Sequence, residues 1–360
     1  MLAATVLLAL GLRVPTSHIR CQASALGLRV PTSHIRCQAG APPVEIRVFG
    51  LGGGGGNAVN RMIEAIEDEE GADCIDFIAC NTDVQALDRS LAPNRLQLGE
   101  VCTRGLGAGG QPAVGAEAAE ESAESLRTMV AGSDMVFVTA GMGGGTGSGA
   151  APVVARLARE AGALTVGVVS KPFRFEGQRR LKQAAAAVDE LREAVDVLIV
   201  VSNDRLLEIV PDGMSMTDSF ALADEVLRQG IVGLTDLVTK PGLVNVDFAD
   251  VRAIMSEAGF ALMGVGRGFG NSCAEDAAIA AISSPLLEFP MERARRVVFS
   301  VTGGPSMTLQ HVNEVASTIS MVCADDANII FGTTVDETFG DEICVTVVAT
   351  DFPTAGSGAE

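Results

Sequence analysis

Histidine and lysine are nearly missing from this chain. Of 360 residues only three are histidine, and two of them, His18 and His34, lie in the first 43. His311 alone remains for the rest, which excludes a histidine-based catalytic triad and a His-ligated metal. The lysines are three, Lys171, Lys182 and Lys240, and the pair Gly-Lys never occurs. A Walker A phosphate loop depends on that lysine and is excluded too. Eight cysteines are present without a single Cys-x-x-Cys spacing, so neither a zinc site nor a small disulfide scaffold is indicated. Most of them sit in apolar runs and are expected to be buried thiols in a reducing compartment. No run of about twenty apolar residues occurs, so no spanning helix is expected. Positive charge is scarce as well. The net charge is −19, and because residues 1–43 contribute four arginines and no acid, the remainder carries −23. Such a body repels nucleic acid, whose binding needs Lys and Arg contacts.

What is present is glycine and a large apolar fraction. With 48% hydrophobic and 20% charged residues over 360 positions, two domains with a sizeable core are expected. Ala9–Ala23 recurs unchanged as Ala25–Ala39. Two copies fall short of a solenoid. Residues 1–43 open on an apolar stretch, pass a cleavage-like Ala23-Ser-Ala25, and carry Arg and Ser without acids. That composition predicts a cleaved targeting segment, a signal peptide followed by a plastid transit peptide. A duplication in the gene would also leave an exact repeat.

From Val44 onward apolar runs alternate with helical patterns. Strands are predicted at Val44–Val48, Cys74–Ala79, Leu96–Val101, Met135–Ala140, Leu164–Val169 and Val197–Val201. Helices are predicted near Glu117–Val130, Ala150–Glu160, Gly177–Ala194 and Ser219–Leu237. The fold class expected from this alternation is α/β, a doubly wound, mainly parallel sheet with ligands at the strand C-terminal ends. Further on, a helix Asp250–Met263, a helix Ala274–Ser283, strands Arg296–Thr302, Ile329–Thr333 and Ile343–Thr350, and an amphipathic helix Thr308–Val322 predict a smaller α+β domain.

Three glycine loops follow predicted strands, at 50–56, 105–110 and 141–149. Glycine leaves backbone N–H groups bare, and a helix start adds positive dipole, which suits phosphate. Gly50-x-Gly52-x-x-Gly55 also satisfies the dinucleotide fingerprint, but a dehydrogenase needs one such loop, not three. Three point to a ligand with several phosphates, whose charge is met by N–H groups, helix dipoles and Mg²⁺.

Gly141-Met-Gly-Gly-Gly-Thr-Gly-Ser-Gly149 resembles the signature of the tubulin superfamily. Together with Gly52-Gly-Gly-Gly-Gly-Asn-Ala-Val, Asn81-Thr-Asp83, Gly105-Leu-Gly-Ala-Gly109, Lys171-Pro-Phe-Arg-Phe-Glu-Gly177 and Asn245-Val-Asp-Phe-Ala-Asp250, it resembles the FtsZ family. These are cell-division and plastid-division GTPases, and the leader points to a plastid-type, nucleus-encoded member. The resemblance runs from about Val44 to Phe352. It implies a GTP-binding domain with a long central helix over 44–240, an α+β polymerisation domain over 241–352, and a short tail, 353–360. GTP or GDP would be held by Gly53, Gly54, Gly55 and Asn57, by Asn81 and Asp83, by Gly107, Ala108 and Gly109, and by Gly141, Gly143, Gly144, Gly145, Thr146 and Gly147. Glu176 and Arg180 would lie near ribose and phosphates beside Asn203, Phe220 would stack on guanine, and Asn57 and Asp224 would read its edge. A carboxylate accepts two hydrogen bonds from guanine N1–H and N2–H, which adenine does not offer. Without the resemblance, Asp224 is also readable as a solvated acid and Phe220 as core.

Asp247 and Asp250 precede and open an apolar helix, so helix capping explains both by spacing alone. The resemblance assigns them, with Asn245, to catalysis. One subunit would insert this loop against the γ-phosphate held by the next, so hydrolysis requires a head-to-tail homopolymer. A heterologous contact of that kind does not close and gives a filament. After Phe352 only eight residues follow, without the long linker and terminal peptide of many relatives. Membrane attachment is therefore expected only through a tethering partner or a second, co-polymerising FtsZ-like protein. Two other functions fit parts of the sequence, a non-hydrolysing nucleotide-binding filament subunit and a Rossmann-type NAD-dependent oxidoreductase. The expected location is the plastid stroma, with the cytoplasm as the alternative.

Overall fold

The computed structural model describes residues 44–66, 75–206, 216–239, 244, 246–284, 291, 294–324 and 326–352. The leader, the tail and Asn245 lie outside them. Ten strands form one sheet: β1 Ile46–Leu51, β2 Ile75–Asn81, β3 Asn94–Gln97, β4 Met135–Gly141, β5 Leu164–Lys171, β6 Val197–Ser202, β7 Gly259–Gly268, β8 Arg296–Gly303, β9 Asn328–Val335 and β10 Ile343–Thr350. Their order is β3-β2-β1-β4-β5-β6-β7-β10-β8-β9. Parallel pairing runs from β3 through β7, and β10 is antiparallel to both of its neighbours. β8 and β9 are again parallel to each other. The strands predicted for a separate smaller domain thus extend the first sheet, joined through three residue pairs between β6 and β7.

Apolar runs become strands here because both sheet faces are covered. Six consecutive residues of β4, Met135–Ala140, are fully buried, as expected for a central parallel strand. One face packs on α1 (Gly52–Ile66) and α9 (Met216–Thr239). The other packs on α4 (Pro112–Glu121), α5 (Ala123–Val130), α6 (Thr146–Glu160) and α7 (Gln178–Ala194). Short helices α2 (Val84–Asp88), α3 (Glu100–Thr103) and α8 (Asn203–Leu206) lie in the connections, and α10 (Phe248–Met255), α11 (Cys273–Ile282) and α12 (Leu309–Ser320) complete the chain. Strand order reverses between β1 and β4, and in such sheets the crevice at the strand C-terminal ends there receives the ligand.

Five predicted elements differ from the structure. The predicted helix Asp250–Met263 ends at Met255, because Glu257 (φ 53°) and Gly259 (φ 70°) are left-handed and start β7. Alternate Gly264, Gly266 and Gly268 then let α11 lie directly on that strand, since any Cβ there would enter the α11 backbone at Ala281, Ala277 and Cys273. Predicted strand Leu96–Val101 stops at Gln97. Left-handed Gly99 turns the chain into α3, where the Glu121 carboxylate accepts from Val101 N and Cys102 N. Predicted helix Glu117–Val130 is two helices that break at Ser122, whose hydroxyl accepts from Gly99 N at 3.0 Å. Glycines 52–56 form no loop but the first turn of α1. Likewise α6 begins inside the third glycine run, at Thr146.

Among the described cysteines, Cys80 and Cys273 are buried, Cys323 and Cys344 half-buried, and Cys102 is exposed, contrary to the expectation of mostly buried thiols. Burial pushes the Cys80 thiol up to about 12, which leaves it inert. Among the described residues no helix is long and apolar enough to cross a membrane.

Candidate functional site

The site grows from two close approaches of backbone to backbone. A Cβ on Gly50 would lie 2.6 Å from the Gly55 carbonyl oxygen, and one on Gly55 would enter the Thr139 carbonyl of β4. Glycine at both places lets the first turn of α1 sit on β1 and β4. On the other sheet face, Gly115 and Gly149 play the same part between α4 and α6, so that α6 starts close behind β4. Two helix N-termini therefore converge on the β1/β4 crevice, and both present N–H groups and positive dipole to it.

Between them opens a cleft of about 390 Å³. Of the sequence-predicted residues, Gly53, Gly54, Asn57, Gly141, Gly144, Gly145, Thr146, Gly147, Glu176, Arg180, Asn203, Phe220 and Asp224 line it. A Cβ on Gly53 or Gly144 would meet nothing within 4 Å. No part of the chain itself needs glycine there, which leaves the space to a ligand. Gly55 serves the β4 contact instead, and left-handed Gly143 (φ 91°) packs so closely on the Arg180 carbonyl oxygen that a Cβ there would lie 2.8 Å from it. Its N–H donates to Ser148 Oγ at 2.8 Å.

The loop 105–110 braces the cleft from behind. Gly107 N donates to the Thr82 carbonyl at 3.0 Å, and Gln111 N to that of Ala108 at 3.0 Å. Ala108 packs on Gly145, and Gly109 faces open space. Thr82 and Thr146 hydroxyls meet at 2.6 Å and tie this layer to α6. Asn81 and Asp83 are spent locally: Asn81 Oδ1 accepts from Asp83 N at 3.2 Å, and Asp83 Oδ1 caps α2 by accepting from Gln85 N at 2.9 Å. Asn81 also lines a cavity of about 150 Å³ beyond α1, which shares Gly53 and Asn57 with the cleft.

The far end of the cleft differs in chemistry. Phe220 is 38% exposed and stands edge-on to buried Phe173, ring centroids 5.3 Å apart, so its own face is open for stacking. Asp224 is largely buried, and its Oδ2 accepts from Arg61 Nε at 3.2 Å. Burial lifts its carboxyl above the usual value of 3.8, and the Arg61 hydrogen bond and charge oppose that rise. Asn203 is 5% exposed, and its Oδ1 is buried without a hydrogen-bond partner among the described residues. An orphaned acceptor of this kind is costly unless a ligand N–H or O–H meets it. Glu176 accepts from Phe173 N at 2.9 Å and pairs with Arg180. Phosphate-type donors at one end, and an aromatic face, a carboxylate and an amide at the other, match a nucleotide end to end.

Asp247 and Asp250 are not in this cleft. Asp247 stands at the N-cap position of α10, yet its side chain makes no capping bond, and both carboxylates are exposed. The capping explanation therefore has the position right and the side chain's role wrong. α9 carries Asp224 and then rises about 22 Å to Thr239 before the chain reaches this loop. Arg252 of α10 donates to the Gly162 carbonyl at 2.7 Å. Gly162 lies ahead of β5, about 25 Å along the strand from the cleft residue Ser170. The nucleotide-shaped cleft and the acidic loop occupy opposite ends of the sheet.

Leu51, Met142, Ser170, Pro172 and Ala223 also line the cleft, unforeseen from the sequence. Arg61 was missed too. It follows Asn57 by one helical turn on α1, and that spacing was the available signal.

Two stability measurements check this construction. Gly55→Ala is expected to lose about 2–3 kcal/mol in denaturant unfolding, because the β4 backbone must move. Gly53→Ala should gain up to about 0.5 kcal/mol of helix propensity while weakening nucleotide binding roughly tenfold. Asp224 gives a pH signature. Its folded pKa is raised, so the folded state gains from the protonated acid below pH 3.8 and loses that gain as pH rises through the shifted value. Asp224→Asn should raise the melting temperature of the nucleotide-free chain near neutral pH by roughly 1–3 °C. The gain should shrink as pH falls toward 3.8, and a gain that grows on acidification contradicts the assignment.

Residues 45–211 match the family model described as the GTPase domain of the Tubulin/FtsZ family, and residues 259–353 match the C-terminal domain of the FtsZ family. An empty FtsZ dimer from M. jannaschii superposes with a TM-score of 0.82 at 39% identity, covering 94% of this chain and 93% of that one. A point mutant of FtsZ from the same organism gives 0.81 at 42% identity, covering 86% and 92%. A GTPγS-bound protofilament of CetZ2 from Haloferax volcanii shares the fold, with a TM-score of 0.72 at 20% identity over 86% of this chain and 94% of that one. Arrived at from the convergent helix starts, the glycine cradle and these matches, the conclusion is that the chain belongs to the Tubulin/FtsZ family.

Proposed function

We propose that this chain binds GTP in the β1/β4 cleft, polymerises head to tail and hydrolyses GTP only where two subunits meet. The observation that carries the reading is the separation just described. The cleft holds the nucleotide-shaped chemistry, and the carboxylates Asp247 and Asp250 stand exposed at the other end of the sheet. One chain cannot bring them together, but stacking one copy on the next does. In that junction the N–H groups around Gly53, Gly144 and Gly145 hold the phosphates. Phe220 stacks on the base, and Asp224 and Asn57 read its edge. Asp247 of the incoming subunit takes the proton of the attacking water as the γ-phosphorus–oxygen bond to GDP breaks, with Asp250 and Asn245 supporting it.

Mg²⁺ belongs to the same reading. Among the described residues no group of three His, Cys, Asp or Glu side chains is placed to hold a metal. The cleft acids Glu176 and Asp224 are each paired with an arginine. A Mg²⁺ ion would be held by the nucleotide phosphates and water rather than by a set of side chains, and would supply charge neutralisation there.

The filament so formed is, on this reading, a division ring that reaches the membrane through a tethering partner or a second FtsZ-like subunit. Its strongly acidic body keeps it off nucleic acid. The plastid stroma is the location we assign, from the acid-free, Arg-bearing residues 1–43. A fluorescent fusion of that segment should enter plastids, and one that stays in the cytoplasm defeats this point alone.

Mixing two inactive variants tests the shared site. Asp247→Ala keeps its cleft, and Asp224→Ala keeps its acidic loop. Each alone should turn over little GTP, while an equimolar mixture regains activity, because one of its junctions combines an intact cleft with an intact loop. A mixture as inactive as its components contradicts the proposal.

A further inference from the structure

Arg61 takes no part in the phosphate cradle, and its guanidinium is not among the groups that line the cleft. It sits on α1, one turn past Asn57, and reaches across to α9, where Nε meets Asp224 Oδ2 at 3.2 Å. The two side chains differ in exposure, 40% for Arg61 and 16% for Asp224. The acid is thus the desolvated partner, held from the solvent side by the arginine. We propose that Arg61 is a positioning residue for base recognition, fixing the Asp224 carboxylate in one rotamer and in its ionised form so that it accepts from guanine N1–H and N2–H.

A carboxylate reads two neighbouring N–H donors only when both oxygens face them in one plane. Among the described residues the bond that restrains Asp224 is that of Arg61, and a single charge-assisted bond to Oδ2 sets the plane while leaving Oδ1 to the ligand. The chemistry agrees. Burial favours the protonated acid, and a protonated Asp224 would turn a donor toward the donor at N1, which repels guanine. Arg61 is the group whose charge and hydrogen bond oppose this. The other charged neighbours are already committed: Glu225 to Arg228 on α9, Glu176 to Arg180 across the cleft, and Asp204 of α8 to Arg174. Because α1 also supplies Gly53 and Asn57, one helix then links phosphate binding to base selection.

The inference rests on the GTP-binding reading, and its test separates the two. Binding of GTP, ITP and XTP to the full chain is measured between pH 6 and 8 for the native protein, Arg61→Gln, Arg61→Lys and Asp224→Ala. ITP lacks the 2-amino group, and XTP carries a carbonyl there. The native chain should prefer GTP over ITP by roughly tenfold or more at every pH, and Asp224→Ala should abolish that preference. Arg61→Gln should lose the preference progressively as pH falls, where the native chain keeps it, and Arg61→Lys should restore it. If Arg61→Gln weakens GTP and ITP equally with no pH dependence, Arg61 is merely structural and the inference is overturned. If Asp224→Ala leaves the GTP-to-ITP ratio unchanged, the base-reading role of Asp224 itself is wrong.

Discussion

Asp247→Ala is expected to lower GTP turnover by about 100-fold or more, with GTP affinity unchanged within about twofold and sedimentable polymer still formed. The expectation follows from where the residue stands. Its carboxylate is exposed, lies at the head of α10 and makes no capping bond. Removing it therefore costs the folded subunit little, less than the loss of roughly 1 kcal/mol that follows when a working cap is deleted. It also lies at the end of the sheet away from the cleft, beyond the rise of about 22 Å that α9 makes from Asp224 to Thr239. An isolated chain should hold GTP as before, and the defect should appear only in the chemical step. Asp250→Ala should fall in the same direction. A variant that loses stability and keeps turnover would return both acids to the ordinary role of ending a helix.

The second large effect lies at the other end of the sheet. Asp224→Ala should weaken GTP by roughly 10- to 100-fold, the loss of two hydrogen bonds to a charged acceptor, while leaving ATP binding as weak as before. Asp224→Asn should be nearly as damaging to GTP and should improve XTP, because an amide N–H then meets the xanthine 2-carbonyl. Competition binding against GTP, ATP and XTP checks this. Equal losses for all three nucleotides would mean that Asp224 shapes the cleft without reading the base.

Much of this was legible in the sequence, and the limits have physical causes. Central strands such as β4 and β5 are continuous apolar runs because both sheet faces are covered, so their position follows from composition alone. β7 was not legible. Its glycines at 264, 266 and 268 break the apolar pattern for the sake of α11, which rests on them. The glycine runs announced an anion site, but sequence does not separate Gly55, which admits a neighbouring backbone, from Gly53, which leaves room for a ligand. Asp247 shows the reverse. Its spacing fits a helix cap, and only the fold reveals that its exposed carboxylate makes no capping bond. Arg61 stayed hidden because its partner is 163 positions away in sequence.

The central claim is that the hydrolytic site is completed by a second copy, and dilution tests it most directly. GTP turnover per molecule is measured for residues 44–360 across a concentration series, with sedimentation of polymer in parallel. The account predicts almost no turnover below a threshold concentration and a steep rise above it, coincident with polymer. Turnover per molecule that stays constant on dilution into the monomer range would mean that one chain holds a complete site, and the shared-site mechanism would be wrong.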